Sequence, residues 1–256
     1  MPALFRRAVF SVALAFTFIS HAAADEIRVL AAGAVQHSVI TLAERFERGT
    51  GHKITASFGT AGAVNAKIEA GEAVDLALSG ASGLQGLAAK NLLDESGVKV
   101  LGTVKIAVGV KTGAPRPDIS SLAVFKAALL AAPAFAYADP ASGATTGIHF
   151  AKKLAELGIA DAVASKAVLR NGGLIVMQAV AEGKAAFGIT QASEIIASPG
   201  VEMIGYVPDE VQLATAYAAA VTRNAKSRDA ARAFLAYLSG PEAAEVLKRE
   251  GFEPAR

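Results

Sequence analysis

The chain has 256 residues, 53% of them hydrophobic and 6% aromatic, with neither cysteine nor tryptophan. Without cysteine there is no disulfide framework, thiolate chemistry or thiolate metal site, and the thin aromatic content argues against stacking platforms for sugars or single-stranded nucleic acid. The 25 basic residues barely exceed the 23 acidic ones, so charge alone points to no polyanionic partner.

Arg6 and Arg7 precede an apolar run from Ala8 to Ile19, and Ala22, Ala23 and Ala24 then lead into Asp25. That grammar predicts a cleaved secretory signal over residues 1–24. The apolar run falls short of the roughly 20 residues that span a bilayer. Cleavage removes both arginines and no acid, which cancels the net charge and leaves a soluble protein outside the cytoplasm.

Strand-like and helical patterns then alternate. The first series predicts a strand at Ile27–Ala31, a helix at 37–48, a strand at Lys53–Phe58, a helix at 61–70, a strand at Val74–Leu78 and a helix at 84–90. In the first helix Val39, Leu42, Ala43 and Phe46 recur at helical spacing, with Glu44, Arg45, Glu47 and Arg48 between them. A crossover strand at 104–110 and a turn-rich stretch at 112–118 open a second series: helix 122–131, strand 135–138, helix 145–157, strand 167–169, helix 174–181 and strand 185–189. A further strand at 214–221 precedes helices at 227–238 and 241–249, the last opened by Pro241 where a missing N–H costs nothing. Such alternation predicts an α/β fold with parallel βαβ units. The chain leaves one lobe, builds a second and returns, giving lobe 1 as 25–104 with 210–256 and lobe 2 as 105–209.

In open α/β sheets, ligands sit beyond the carboxyl ends of strands, where helix N-termini offer unpaired N–H groups. Five such junctions are rich in glycine, hydroxyls and amides and poor in carboxylates: 32–38, 59–62, 79–83, 139–147 and 170–173. Together they favour an anionic or strongly polar ligand held by neutral donors. Candidate ligand-binding residues are Ala34, Gln36, His37, Ser38, Thr60, Ala61, Gly62, Ser79, Ser142, Gly143, Thr145, Arg170, Asn171, Gly172 and Gln191. Arg170 is the expected carboxylate clamp, through its planar, bidentate guanidinium; a solvated loop arginine is the competing reading. Thr60, Ser79 and Ser82 equally suit ordinary helix capping. His37, His149 and Glu194 are the candidates for moving a proton, or else packing and helix-start residues. No G-x-S-x-G elbow, Walker A loop, H-E-x-x-H or dinucleotide fingerprint occurs, and the four histidines are dispersed. No metal or cofactor is expected.

The segments Ile27–Ala32, Ser57–Thr60, Ile68–Gly71 and Val74–Leu76, with the tail Leu238–Ala244, Leu247–Arg249 and Gly251–Phe252, resemble the periplasmic molybdate-type solute-binding proteins of ABC transporters. The resemblance covers nearly all of the chain after the leader. It implies a two-lobed periplasmic binding-protein fold with two hinge crossovers, a monomer that closes on a small anion, a permease partner in the inner membrane, and no nucleic acid. Where that family places hydroxyl side chains and a late tyrosine around its oxyanion, this chain has Ala34, Gln36, His37 and Ser38, then Ala61 and Gly62 after Thr60, and Gln191. The segments 115–121, 137–143, 147–150 and 208–212 are similar to a divergent branch that includes aconitate isomerase. That similarity implies an alternative in which a tricarboxylate is bound and its double bond isomerised by proton transfer.

Overall fold

The computed structural model describes residues 24–255; the expected leader, Ala24 excepted, lies outside the described residues. Strand β1 (Glu26–Ala32) alternates in the way a doubly covered strand must. Ile27, Val29 and Ala31 enter one core and Leu30 the other. It lies between β2 (Lys53–Gly59) and β3 (Leu76–Gly80), both parallel to it. The crossover helix α1 (Gln36–Thr50) buries Val39, Leu42, Ala43 and Phe46 as its periodicity predicts, and stops at Gly51, whose φ of 80° is the left-handed cap glycine tolerates. Helix α2 (Ala61–Glu69) covers the opposite face with α3 (Ala81–Ala89), which starts directly from the end of β3, three residues before the expected Leu84.

The expected strand at 104–110 proves much longer. Strand β4 (Lys99–Lys111) joins the two halves of the molecule by changing partners midway. Lys99–Lys105 pair with β9 (Ala214–Val221), itself antiparallel to β3, while Ile106–Val110 pair with β7 (Phe187–Gln191). Strand β8 (Val201–Tyr206), unforeseen in the sequence, takes the other edge over Ala107–Lys111. In the second lobe β5 (Phe135–Ala138) runs parallel between β6 (Ala167–Arg170) and β7. The sheet order is β2-β1-β3-β9-β4-β7-β5-β6.

Helices α4 (Leu122–Ala131), α5 (Thr145–Glu156) and the short α6 (Ala160–Val163) close one face of the second lobe around Phe125, Phe135, Phe150 and Phe187. Its other face receives α7 (Gly173–Ala181) and α8 (Ala192–Ile196), whose Val176, Met177, Val180 and Ile195 belong to the same core as α1, α9 (Arg228–Leu238) and α10 (Pro241–Arg249). Strand β10 (Glu253–Pro254) returns to the edge of β4.

The chain re-enters the first lobe through residues 207–213, and one side chain holds that return. Gln212 accepts from the Ile106 N–H at 2.7 Å and donates to the Ile106 carbonyl at 3.0 Å. It thereby acts as a one-residue strand at the position where β4 exchanges its neighbours, pairing the Ile106 amide and sharing the Ile106 carbonyl with the Val207 N–H at 3.3 Å.

Candidate functional site

A cleft of about 410 Å³ lies between the lobes, beyond the carboxyl ends of β1, β2, β6 and β7. The first lobe contributes Ala32, Gly33, Ala34 and Gln36 after β1, then Phe58, Gly59 and Thr60 ending β2, and Ala61, Ala63 and Lys67 from α2. The second lobe contributes Ala144, Thr145 and Thr146 opening α5, Asn171 to Ile175 opening α7, and Gln191 and Glu194; Tyr217 of β9 completes the wall.

The helix starts define its electrostatics. The 3-10 turn Gly33–Val35 ahead of α1, and helices α5 and α7, all begin without a side-chain cap. Their first amides have no partner within the helix and lie at the positive end of its dipole; that of Gly173 in α7 is met by the Glu194 carboxyl. Helix α2 differs, because the Thr60 hydroxyl accepts from the Ala63 N–H at 3.2 Å.

Of the sequence candidates, Ala34, Gln36, Thr60, Ala61, Thr145, Asn171, Gly172, Gln191 and Glu194 line the cleft. Gly62, Gly143 and Ser142 do something else. The Gly62 N–H donates to the Gly143 carbonyl at 3.0 Å and the Thr60 hydroxyl donates to the Ser142 carbonyl at 2.5 Å. These bonds clasp the two lobes together beside the cleft. The Ser142 hydroxyl donates to Asp139, within its own turn.

The structure places the remaining candidates outside the lining of this cleft. Arg170 does not reach the cleft: its Nη1 donates to the Leu169 carbonyl, and its charge contributes, after the hydrogen bond from Lys184, to lowering the Glu182 carboxyl. His37 pairs with Glu250 at 2.7 Å, binding α1 to the end of α10. His149 Nε2 meets the Val211 carbonyl at 2.8 Å and so anchors the returning crossover segment. Ser79 is fully buried and donates to the Ala61 carbonyl at 3.3 Å, and Ser38 is buried in the first turn of α1.

Three lining groups carry the titratable chemistry. Lys67 stands at the rim, 3.3 Å from Glu72. Glu194 lies at the floor, 7% exposed, accepting from the Thr190 hydroxyl at 2.5 Å and faced by the amides of Gln191 and Gly173. Burial pushes its pKa up, against the lowering effect of those donors. Tyr217 is pushed up by burial and then by Glu194. Gln191 donates to Thr215 at 3.1 Å, while its Oε1 is buried without a partner. Lys67 and Tyr217 escape the sequence reading. The tyrosine sits in an apolar strand and the lysine two turns into a helix, away from any loop motif. Among the described residues no cluster of three His, Asp or Glu could hold a metal ion, and no helix is long and apolar enough to cross a membrane.

Comparison with known proteins agrees with this architecture. Residues 27–253 match the family described as bacterial extracellular solute-binding protein. An aconitate isomerase from Pseudomonas sp. is 32% identical over 237 residues, covering 89% of this chain and 87% of that protein. The molybdate-binding protein ModA of Escherichia coli (strain K12) is 27% identical over 244 residues, 94% of each. Among solved structures, the periplasmic molybdate-binding protein of Azotobacter vinelandii superposes with a TM-score of 0.76 at 19% identity, covering 90% of this chain and all of that one.

Proposed function

The chain belongs to the bacterial extracellular solute-binding proteins, and from that premise we infer that it captures a small anion, an oxyanion or an organic carboxylate, between its two lobes. The observation that carries this reading is the convergence on one cleft of three helix or 3-10 starts whose N-cap residues make no side-chain cap, the Gly173 amide at one of them being met by the Glu194 carboxyl, in a wall that offers a single lysine and no arginine. Neutral amide donors solvate the anion, and closure of the lobes withdraws it from water. Residues 25–104 with 210–256 form one lobe and 105–209 the other; the change of partners within β4 supports that division. The protein works as a periplasmic monomer released by cleavage of its leader and passes its ligand to an ABC permease. Ala34, Gln36, Thr60, Thr145, Asn171, Gly172 and Gln191 are its ligand-facing residues.

A thermal-shift panel of molybdate, tungstate, phosphate, sulfate, citrate and aconitate tests this reading. A ligand at 100 times its dissociation constant stabilises the native state by about 2.7 kcal/mol. No shift with any of them refutes anion capture.

Glu194 favours a second reading. A carboxyl at the cleft floor whose pKa is raised by burial is a stronger base than a free carboxylate and is suited to accept and return a proton. On aconitate, a proton leaves the carbon next to a carboxylate for Glu194, and its return to the other end of the resulting allylic anion shifts the double bond. Proton NMR of cis-aconitate with the pure protein tests it. Absence of the trans isomer leaves binding alone.

A further inference from the structure

Glu194 is cradled from both lobes. A side-chain carbon on Gly173 would sit 1.9 Å from its Oε2, and one on Gly33, across the seam in the first lobe, 3.1 Å from its Oε1. The carboxyl and the Thr190 hydroxyl, 2.0 Å from the same point, fill the space beside Gly173, and Gly33 sits closely against the carboxyl's other oxygen. The Gly173 amide belongs to the first turn of α7, so Glu194 stands at a helix N-terminus that elsewhere in the cleft is left open for the ligand.

The groups that face the carboxyl are neutral. β7 brings Thr190 and Gln191, α7 brings Gly173, the 3-10 turn brings Gly33, and β9 brings the phenol of Tyr217. The C-terminal segment reaches α8 through Gly251; its Glu250 is taken by His37. Lys67, the one cation of the cleft wall, is at the rim and paired with Glu72. A buried carboxylate with no counter-cation tolerates a second negative charge beside it poorly, since two like charges in a water-poor cleft repel strongly.

We propose that anion capture in this cleft is coupled to protonation of Glu194: the carboxyl is neutral whenever the anion is bound, so ligand and proton enter together. This rests on the anion-capture reading, not on the isomerase one, which needs the carboxyl ionised with aconitate bound, and adds a pH dependence to it. The bound anion raises a carboxyl pKa that burial has already lifted. Between the free and bound values, binding therefore takes up a proton and affinity falls as pH rises, by at most about tenfold per pH unit. A ligand released into a more alkaline compartment is let go more readily than one captured in an acidic one.

Isothermal titration calorimetry in pairs of buffers with different ionisation enthalpies, from about pH 5.5 to about pH 8.5, reads this directly. Sulfate, molybdate and fumarate hold a constant charge across that range; citrate and cis-aconitate titrate themselves, and Glu194→Gln supplies their own proton exchange for subtraction. The expected result is uptake of up to one proton per bound anion in the native chain and a Kd that weakens with pH, both lost in Glu194→Gln. If that variant does not fold, the buffer dependence of the native chain decides alone. Heats that agree between buffers with a flat Kd overturn the coupling, as does proton uptake persisting in Glu194→Gln. Absence of binding heat with every probe overturns anion capture itself.

Discussion

Replacing Gly62 with alanine should pry the two lobes apart without touching either core. A side-chain carbon at Gly62 would lie 2.8 Å from both the Cα and the carbonyl oxygen of Gly143, against backbone rather than a yielding side-chain tip. Relief requires the loop at Gly143 to move out by several tenths of an ångström, which breaks the Gly62 N–H bond to Gly143 (3.0 Å) and disturbs the neighbouring Thr60 bond to Ser142 (2.5 Å). Two neutral hydrogen bonds at about 0.5–1.5 kcal/mol each amount to about 1–3 kcal/mol taken from the closed form. If the ligand binds that form, affinity falls roughly 5- to 150-fold. Calorimetry with whichever anion the thermal panel identifies reads the affinity, and small-angle X-ray scattering should show the liganded variant more open than the native protein. Gly143→Ala, which adds the strain of a φ of 75°, should bind more weakly still. Gly86→Ala, where no atom lies within 4 Å of the added carbon, is the control. Native affinity and native scattering in Gly62→Ala would falsify the clasp.

Arg170→Ala should change ligand affinity by less than about twofold, because the guanidinium is engaged with its own strand and leans on the Glu182 side of α7; a tenfold loss by calorimetry returns it to the site. Gln212→Ala should cost about 1–3 kcal/mol in urea unfolding by taking the side-chain acceptor from the Ile106 amide and leaving its carbonyl only the 3.3 Å bond from the Val207 N–H, with increased hydrogen exchange at Ile106; an unaltered midpoint shows that solvent replaces the side chain. Glu194 also bears on stability. Its native pKa stands above the unfolded value of about 4.3, so the native state keeps a proton that the unfolded chain has released. Its contribution is complete below that value and is lost as pH rises toward the native pKa, by at most about 1.4 kcal/mol per pH unit. Melting curves of the native chain and Glu194→Gln should therefore diverge across that window, the native chain losing relative stability; parallel curves count against a neutral buried acid.

Composition and local periodicity were enough to read the alternation of strands and helices, most of their limits, and a position for the ligand beyond the strand ends. They suffice because a 3.6-residue or two-residue repeat of Val, Leu, Ile and Phe is set by which face of a single element must leave water. The same local view named Thr60, Thr145 and the Asn171–Gly172 turn, each at a strand-to-helix junction, and all of them line the cleft. What it could not weigh was competition between junctions. The hydroxyls and glycines of 59–62 and 139–147 read as ligand donors until the fold brought Thr60 to Ser142 and Gly62 to Gly143, spending some of those donors on the seam. Arg170 and His37 had the right chemistry at strand and helix ends, yet Arg170 turns back on the Leu169 carbonyl of its own strand and His37 is taken by Glu250, far along the chain. Strand β8 and the doubling of β4 were hidden for a related reason: an edge strand is chosen by the partner that has a free edge, which no local pattern encodes. Tyr217 and the burial of Glu194 belong to the tertiary structure alone. A carboxyl in sequence is only a charge; its pKa and its access to ligand arise where β7, α7, β9 and the turn at Gly33 meet and exclude water.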